Sequence, residues 1–317
     1  MKILITGIHG FVGSNLVKTL SKDNIVYGLD IIVPIKEGVS FTYRWEDLDK
    51  ADTVPDVDAI VHLAGKAHDT KNQSSADVYF KVNFELTTKI FDYYCAHPNI
   101  KKFVFFSTAK AAADRVDGIL TEDVVPAPVG PYGESKIAAE NYILDTMKER
   151  SEVFKDRGVY IFRPCMIHGP GNKGNLNLLY NVVKRGIPWP LGAFENRRTF
   201  TSVENICFAV NSIITMDVES GIYNMGDDEA LSTNELIEEI CKSLGKKAHI
   251  WKLPKGIMNG FAKIGGWLHL PLNPERLQKL TENYVSSNVK IKTALGIERM
   301  PVSAREGLKL TLQSFRG

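Results

Sequence analysis

The chain of 317 residues is 44% hydrophobic and 24% charged, a globular composition long enough for one large domain or a domain with a smaller lobe. Its formal net charge of +2 excludes a strong overall field for nucleic acid or an anionic membrane, so substrate charge has to be met by local basic residues. Cys95, Cys165, Cys207 and Cys241 are scattered without CxxC or Cys/His spacing, which predicts reduced thiols, no metal and a cytoplasmic protein.

The first apolar run, Ile3 to Ile5, leads into Thr6, Gly7, His9 and Gly10, which break it far short of the ~18 residues of a membrane span. No small-residue cleavage site follows, so a signal peptide is not expected. The opening thirty residues read as strand, glycine turn, helix and second strand, ending at Asp30. Gly7 suits the tight turn, Gly10 a close approach of backbone to a pyrophosphate, and Gly13 close packing of helix on strand. The helix N-terminus then offers free N–H groups to phosphate. Asp30, 17 residues after Gly13, stands near the position of a ribose-binding acid. A carboxylate there accepts from both ribose hydroxyls and repels a 2′-phosphate, which favours NAD over NADP.

Further along, short strand character at Phe41 to Tyr43 is followed by a buried-type strand, Asp58 to Ala64. A helix is predicted from about Ser75 to Ala96, ended by Pro98. A strand from Lys101 finishes on Ser107 and Thr108, and a helix runs from about Tyr132 to Arg150. Val159 to Arg163 is a further strand, stopped by Pro164. Alternating strands and helices predict a parallel, doubly wound α/β sheet whose ligands bind at the carboxyl strand ends. Gly7, Asp30, Ala64, Thr108 and Pro164 all fall at such ends. After Pro164, a helix (about Val203 to Met216) and a strand (Gly221 to Asn224) read as returns to this sheet. Ser232 to Glu235 is a capping box, and short helices follow with Gly265-Gly266, Pro271 and Pro274 as breakers.

Tyr132 and Lys136 stand four apart at a helix start, one above the other on a face. An ammonium beside a phenol favours phenolate and is expected to lower the tyrosine pKa, fitting it for acid–base work on a substrate oxygen. Thr108 is the hydroxyl expected opposite Tyr132, with Ser107 competing for that place.

These residues resemble the extended short-chain dehydrogenase/reductases, in particular the NAD-dependent nucleotide-sugar epimerase/dehydratase family. The resemblance spans nearly the whole chain. Thr6 to Gly13, including Phe11 and Val12, matches the family's cofactor turn; His62-Leu63-Ala64-Gly65 looks like its HLAA strand end. Asn83, Ser107-Thr108 and Tyr132/Lys136 match its helix asparagine and catalytic positions. Arg163-Pro164 through Gly171 resembles its RPxxxYGPG segment, Arg197 to Asn205 its RDFxxVxDV segment, and Tyr223 to Gly226 its YNxG turn.

The resemblance implies a Rossmann-type NAD-binding domain at 1–165 with returning segments about 199–225, and a mainly helical substrate lobe at 166–198 and 226–317. It implies catalysis by Thr108, Tyr132 and Lys136. The cofactor set adds Ile31, Asp47 and Leu48 on the adenosine side, with Leu63, Ala64, Gly65, Asn83, Ser107 and Pro164. Lys66, Thr108, Asn175, Arg198 and Arg276 are implied on the substrate side. Arg198, with Arg197 beside it as an alternative, suits a nucleotide diphosphate because guanidinium forks onto phosphate oxygens.

Some positions depart from the family. Ala109 and Lys110 replace the acid pair of its dehydratases, which argues against elimination at the sugar's C5–C6. Ala111 to Ala113 replace a VYG, Met166 a sugar-binding asparagine, and His168 a tyrosine. The segments Ser107 to Lys110, GPGNKGN and ENRRTF look most like a subgroup linked to bacterial surface polysaccharides. The implied activity is a UDP-hexose or UDP-N-acetylhexosamine 4-epimerase, or a reductase of a UDP-4-keto-6-deoxy-hexosamine. A dinucleotide sensor without turnover, or a reductase of an apolar substrate, is disfavoured by the Tyr132/Lys136 pair and by Arg198 with the Asn172-Lys173-Gly174 loop. Analogy with the family also implies a homodimer through the helices near 75–96 and 132–150.

Overall fold

The computed structural model describes residues 1–67, 75–172, 174–267 and 273–316. Eleven strands are described: β1 (Lys2–Thr6), β2 (Ile25–Leu29), β3 (Phe41–Tyr43), β4 (Ala59–His62), β5 (Lys102–Phe106), β6 (Ile119–Leu120), β7 (Gly158–Pro164), β8 (Met166–His168), β9 (Phe200–Ser202), β10 (Gly221–Met225) and β11 (Val285–Ser286). Seven form one parallel sheet in the order β10-β7-β5-β4-β1-β2-β3, and β6/β11 and β8/β9 make two small parallel pairs. Register is continuous across the centre, with Ile5 beside both Gly28 and Val61, and Val61 beside Val104. The strand order reverses direction between β1 and β4, the switch point at which doubly wound sheets open a crevice.

The central strands carry apolar side chains on both faces because helices cover both. One face packs Ile3, Ile5, Val61, Val104 and Phe162 against helices Phe11–Leu20 and Val203–Thr215. The other packs Leu4, Ile60, Phe103, Phe105 and Ile161 against helices Leu86–Ala96 and Pro131–Glu149. A separate apolar cluster, with Leu176, Tyr180, Leu236, Ile240, Met258, Leu277 and Leu308, lies among the C-terminal helices.

Element positions follow the pattern in the sequence with three differences. The helix expected near 75–96 is Ala76–Ala96 but carries one π-helical turn, Phe80–Glu85, which shifts the helix face at Asn83. Pro164 ends β7 from within it rather than just beyond it. Gly265 and Gly266 do not break a helix; they lie inside Lys255–Trp267. A Cβ on Gly266 would stand 3.1 Å from Pro274 Cδ, so the small residues let this helix lie against Pro274–Thr281. Pro274 opens that second helix under an Asn273 cap, as a first-turn proline should. Pro271 lies outside the described residues.

A buried polar chain links the end of β1 to the π-helical turn. Thr6 Oγ1 accepts the Leu63 and Ala64 N–H groups at 3.1 and 3.0 Å, so its own proton is directed to His62 Nδ1 at 2.6 Å. His62 Nε2 then donates to Thr87 Oγ1 at 2.9 Å, and that hydroxyl donates to the Asn83 carbonyl at 2.6 Å. Full burial, and secondarily the Lys136 charge, holds the His62 pKa well below 6.5, so the ring is neutral in this chain. On acidification the unfolded state takes up the histidine proton first, so this group's contribution to stability falls as pH drops below about 6.5 and returns as pH rises. Unfolding free energies from urea titrations between about pH 7.5 and about pH 5.5 should therefore fall with a slope of up to about 1.4 kcal/mol per pH unit from this group, and His62→Gln should remove that part of the slope.

Candidate active site

The glycine turn stands at the carboxyl end of β1. Gly7 has φ +65°, and a Cβ there would sit 2.9 Å from the Ala64 nitrogen. A Cβ on Gly13 would lie 2.6 Å from the Gly7 carbonyl oxygen and 2.9 Å from Ile8 Cα. Both positions therefore require glycine, one for conformation and one for space. Gly7, Gly10, Phe11, Val12 and Gly13 line a cleft of about 810 Å³, a size typical of small-molecule sites. Asp30 is not among the described residues lining it; it accepts N–H groups from His9 at 3.1 Å and Ile31 at 2.7 Å, which fixes the carboxylate beside the glycine turn.

Helix Pro131–Glu149 brings its face to the same cleft. Tyr132 and Lys136 both line it, with Thr108 from the end of β5 opposite. Thr108 stands near enough to Tyr132 to favour its ionised form, and Lys136 Nζ donates to the Phe106 carbonyl at 2.8 Å while lying 4.8 Å from the Phe105 ring centroid. Ser107 also lines the cleft, but its hydroxyl is engaged by Glu140 Oε1 beneath the floor. Glu140 in turn receives Arg163, whose Nη2 reaches Oε2 at 2.6 Å and whose Nε lies 3.1 Å from each oxygen, all of it buried.

One electrostatic expectation is corrected. Tyr132 has its pKa raised by burial, which outweighs the lowering from Thr108, rather than lowered by Lys136. Burial also pushes Lys136 down to about 8, against the pull of Glu140. The ammonium is committed to a carbonyl and itself desolvated, so in the protein alone it does little for a phenolate. A further positive charge brought by a ligand would act toward the phenolate.

Other expected residues divide into those on the cleft wall and those that are not. Leu63, Gly65, Lys66, Pro164, Asn175 and Arg198 line it. Asn83 is buried behind the wall: its Oδ1 accepts the Lys66 N–H at 2.7 Å, and its Nδ2 donates to the Lys66 carbonyl at 3.1 Å and to Ser135 Oγ at 3.0 Å. Ala64 packs under the glycine turn. Asp47 is turned to local work, accepting from the Arg44 N–H at 2.9 Å and Lys50 Nζ at 2.8 Å, and Leu48 packs partly into the core. Ile31 is exposed next to Asp30.

At the far end of the cleft, the choice between two arginines is resolved by backbone pairing. Arg198 exchanges N–H···O bonds with Leu231 and donates Nη1 to the Lys279 carbonyl, which leaves it on the cleft wall. Arg197 points out to Glu235 at 3.3 Å. Arg276 is exposed on helix Pro274–Thr281 and is not among the described residues lining the cleft. Lys173 lies outside the described residues.

Several wall residues had no signal in the sequence. Cys165 and Ile167 arrive through the β7–β8 connection, on either side of Met166, which stands at the position expected to replace a sugar-binding asparagine, and Tyr284 comes from far along the chain, its hydroxyl on the Ala113 carbonyl at 2.8 Å. Glu140 could have been found by extending the Tyr132/Lys136 spacing one more turn. Lys110 turns its ammonium to Asp114, 2.9 Å from Oδ1, so no acid pair follows Thr108. His168 is buried, with Nδ1 2.9 Å from Thr311 Oγ1, and takes no part in the wall.

The model of the NAD dependent epimerase/dehydratase family matches residues 3–226. The chain belongs to that family. The UDP-glucose 4-epimerase of Vibrio cholerae is 28% identical, with 99% of this chain and 95% of that protein covered. The dTDP-glucose 4,6-dehydratase of Streptomyces niveus is 25% identical over 100% of this chain and 93% of its own length. Among solved structures, the UDP-N-acetylglucosamine 4-epimerase from Bacillus cereus superposes with a TM-score of 0.76 at 22% identity, covering 100% of both chains. The family is NAD-dependent, and the glycine cradle with its fixed carboxylate suits that dinucleotide. Among the described residues no cluster of His, Cys, Asp and Glu could hold a metal ion, and no helix is long and apolar enough to cross a membrane.

Glu140→Gln leaves Arg163 buried without a counter-charge. It should lower the unfolding free energy by about 3–5 kcal/mol, read by urea denaturation.

Proposed function

We propose that the protein is a 4-epimerase of a UDP-linked hexose or N-acetylhexosamine, working through a 4-keto sugar. The observation that carries this reading is the convergence of Tyr132, Thr108 and buried Lys136 on one cleft that also presents Arg198. The Gly10 to Gly13 backbone would hold the NAD pyrophosphate, and Asp30 the adenosine ribose hydroxyls. NAD, when bound, acts as acceptor and then donor of the hydrogen on sugar C4.

Tyr132 takes the O4 proton as C4 becomes a ketone and returns it when the alcohol re-forms. Thr108 holds O4 in line with that phenol, and Lys136 positions the helix turn and adds positive charge. Arg198 grips the diphosphate and lets the sugar turn over about it. Lys66 and Asn175 are the nearer polar groups for the sugar and nucleotide. The Ala109-Lys110 pair lacks the acid and base a 4,6-dehydratase needs.

A reductase of a UDP-4-keto-6-deoxy-hexosamine would use the same Tyr132 and Thr108, differing in whether the dinucleotide leaves after each turnover. Incubation with UDP-glucose, UDP-N-acetylglucosamine and the keto sugar, with and without NADH, separates the two. Interconversion of C4 epimers without net NADH loss is expected; NADH loss with the keto sugar alone would replace the epimerase by the reductase. Tyr132→Phe should bind NAD as before and lose on the order of 10²-fold or more in kcat. Retained turnover on every UDP-hexose would remove Tyr132 from the chemistry. We also propose a homodimer with helices Ala76–Ala96 and Pro131–Glu149 as its contact face, which a monomer mass by light scattering would remove.

A further inference from the structure

The average charge of the chain conceals one segment of opposite character. Between Glu239 and Glu275 the sequence has six lysines (Lys242, Lys246, Lys247, Lys252, Lys255 and Lys263) and no aspartate or glutamate. All six are exposed. The bounding acids are already engaged, Glu239 by Arg305 at 2.9 Å and Glu275 by Lys279 at 2.6 Å.

The same segment displays the densest set of exposed apolar side chains in the lobe. Helix Lys255–Trp267 buries Met258, Ala262 and Gly265 on its inner face. On its outer face Ile257, Phe261 and Ile264 follow one another at i, i+4 and i+7 and are 51%, 56% and 54% exposed. Trp267 is 80% exposed and Trp251, just before the helix, 53%. Scattered exposed apolar residues need no explanation, but a continuous stripe flanked by tryptophans does.

We propose that this face docks the protein on an anionic lipid surface. An exposed apolar stripe with tryptophans at its ends, in a segment whose only charged side chains are lysines, has the composition of an in-plane interfacial helix: the rings enter the headgroup layer while the flanking ammonium groups meet lipid phosphates. Charge selects lipid over a second copy of this chain, because a two-fold contact would set the same lysines against each other. The docking helix is linked to the cleft wall through its neighbour. Helix Lys255–Trp267 packs on Pro274–Thr281, and the Lys279 carbonyl of the latter holds Arg198 on the cleft wall. The inference stands apart from the choice of substrate, since it uses no residue of the reacting site.

The test is flotation of the full-length protein with vesicles of phosphatidylcholine alone or with about one-quarter phosphatidylglycerol. Binding to the anionic vesicles should exceed that to the neutral ones by about tenfold or more and should fall with added salt. Tryptophan emission should shift to the blue on binding, since Trp251 and Trp267 are exposed while Trp45 and Trp189 are buried. Phe261→Ser/Ile264→Ser and, separately, Lys252→Glu/Lys255→Glu/Lys263→Glu should each cut binding by about tenfold with NAD affinity and Tm unchanged. Equal binding to both vesicle types, or wild-type binding by both variants, overturns the proposal. So does a solution dimer that Phe261→Ser/Ile264→Ser converts to monomer, which would make the face a contact between copies.

Discussion

The Glu140 carboxylate, buried between Arg163 and Ser107, fixes how helix Pro131–Glu149 lies across the ends of β5 and β7. Tyr132, Lys136 and Glu140 recur every four residues on that helix, so anchoring the third sets the height and rotation of the other two. A second tie comes from the opposite side. Asn83 clamps both backbone groups of Lys66 and reaches Ser135, whose hydroxyl donates to the Tyr132 carbonyl at 3.0 Å. The phenol is therefore held between two buried polar networks. Burying either network is costly, and in the first Arg163 Nη1 is left without a partner, so its geometry rests on the Nε and Nη2 bonds to Glu140.

Much of this frame was legible in the sequence because periodicity and turn chemistry are local. The parallel sheet, the glycine turn between β1 and its helix, and the capping box at Ser232 all follow from neighbours within a few positions. What was not legible depends on distant partners. The π-helical turn at Asn83 is stabilised by Lys66 and Ser135, which no local pattern announces. Arg198 and Arg197 look equivalent until backbone pairing with Leu231 turns one inward. Gly265 and Gly266 read as breakers because their reason, the approach of another helix, lies beyond the reach of spacing rules. The tyrosine's pKa was misjudged for a related cause: the sign of a lysine's effect is local, but desolvation is a property of the whole packed site.

Average properties misled in one further respect. A net charge of +2 argues against any strong field, yet it sums an acidic sheet domain with a basic remainder that includes a lysine-rich stretch without acids on the C-terminal helices. Chemistry and docking thus occupy separate parts of the chain, joined through the helix that carries the Lys279 carbonyl. Ala109 and Lys110 stand beside Thr108 without disturbing Tyr132 or the glycine cradle, and the relatives on this scaffold include both a UDP-glucose 4-epimerase and a dTDP-glucose 4,6-dehydratase.

The most direct measurement follows the hydrogen on C4. A UDP-hexose labelled with deuterium at C4 should give its C4 epimer with the deuterium still at C4 when the reaction is run in ordinary water and read by NMR. Replacement of that deuterium by solvent hydrogen would mean removal as a proton rather than as a hydride, and would contradict the account.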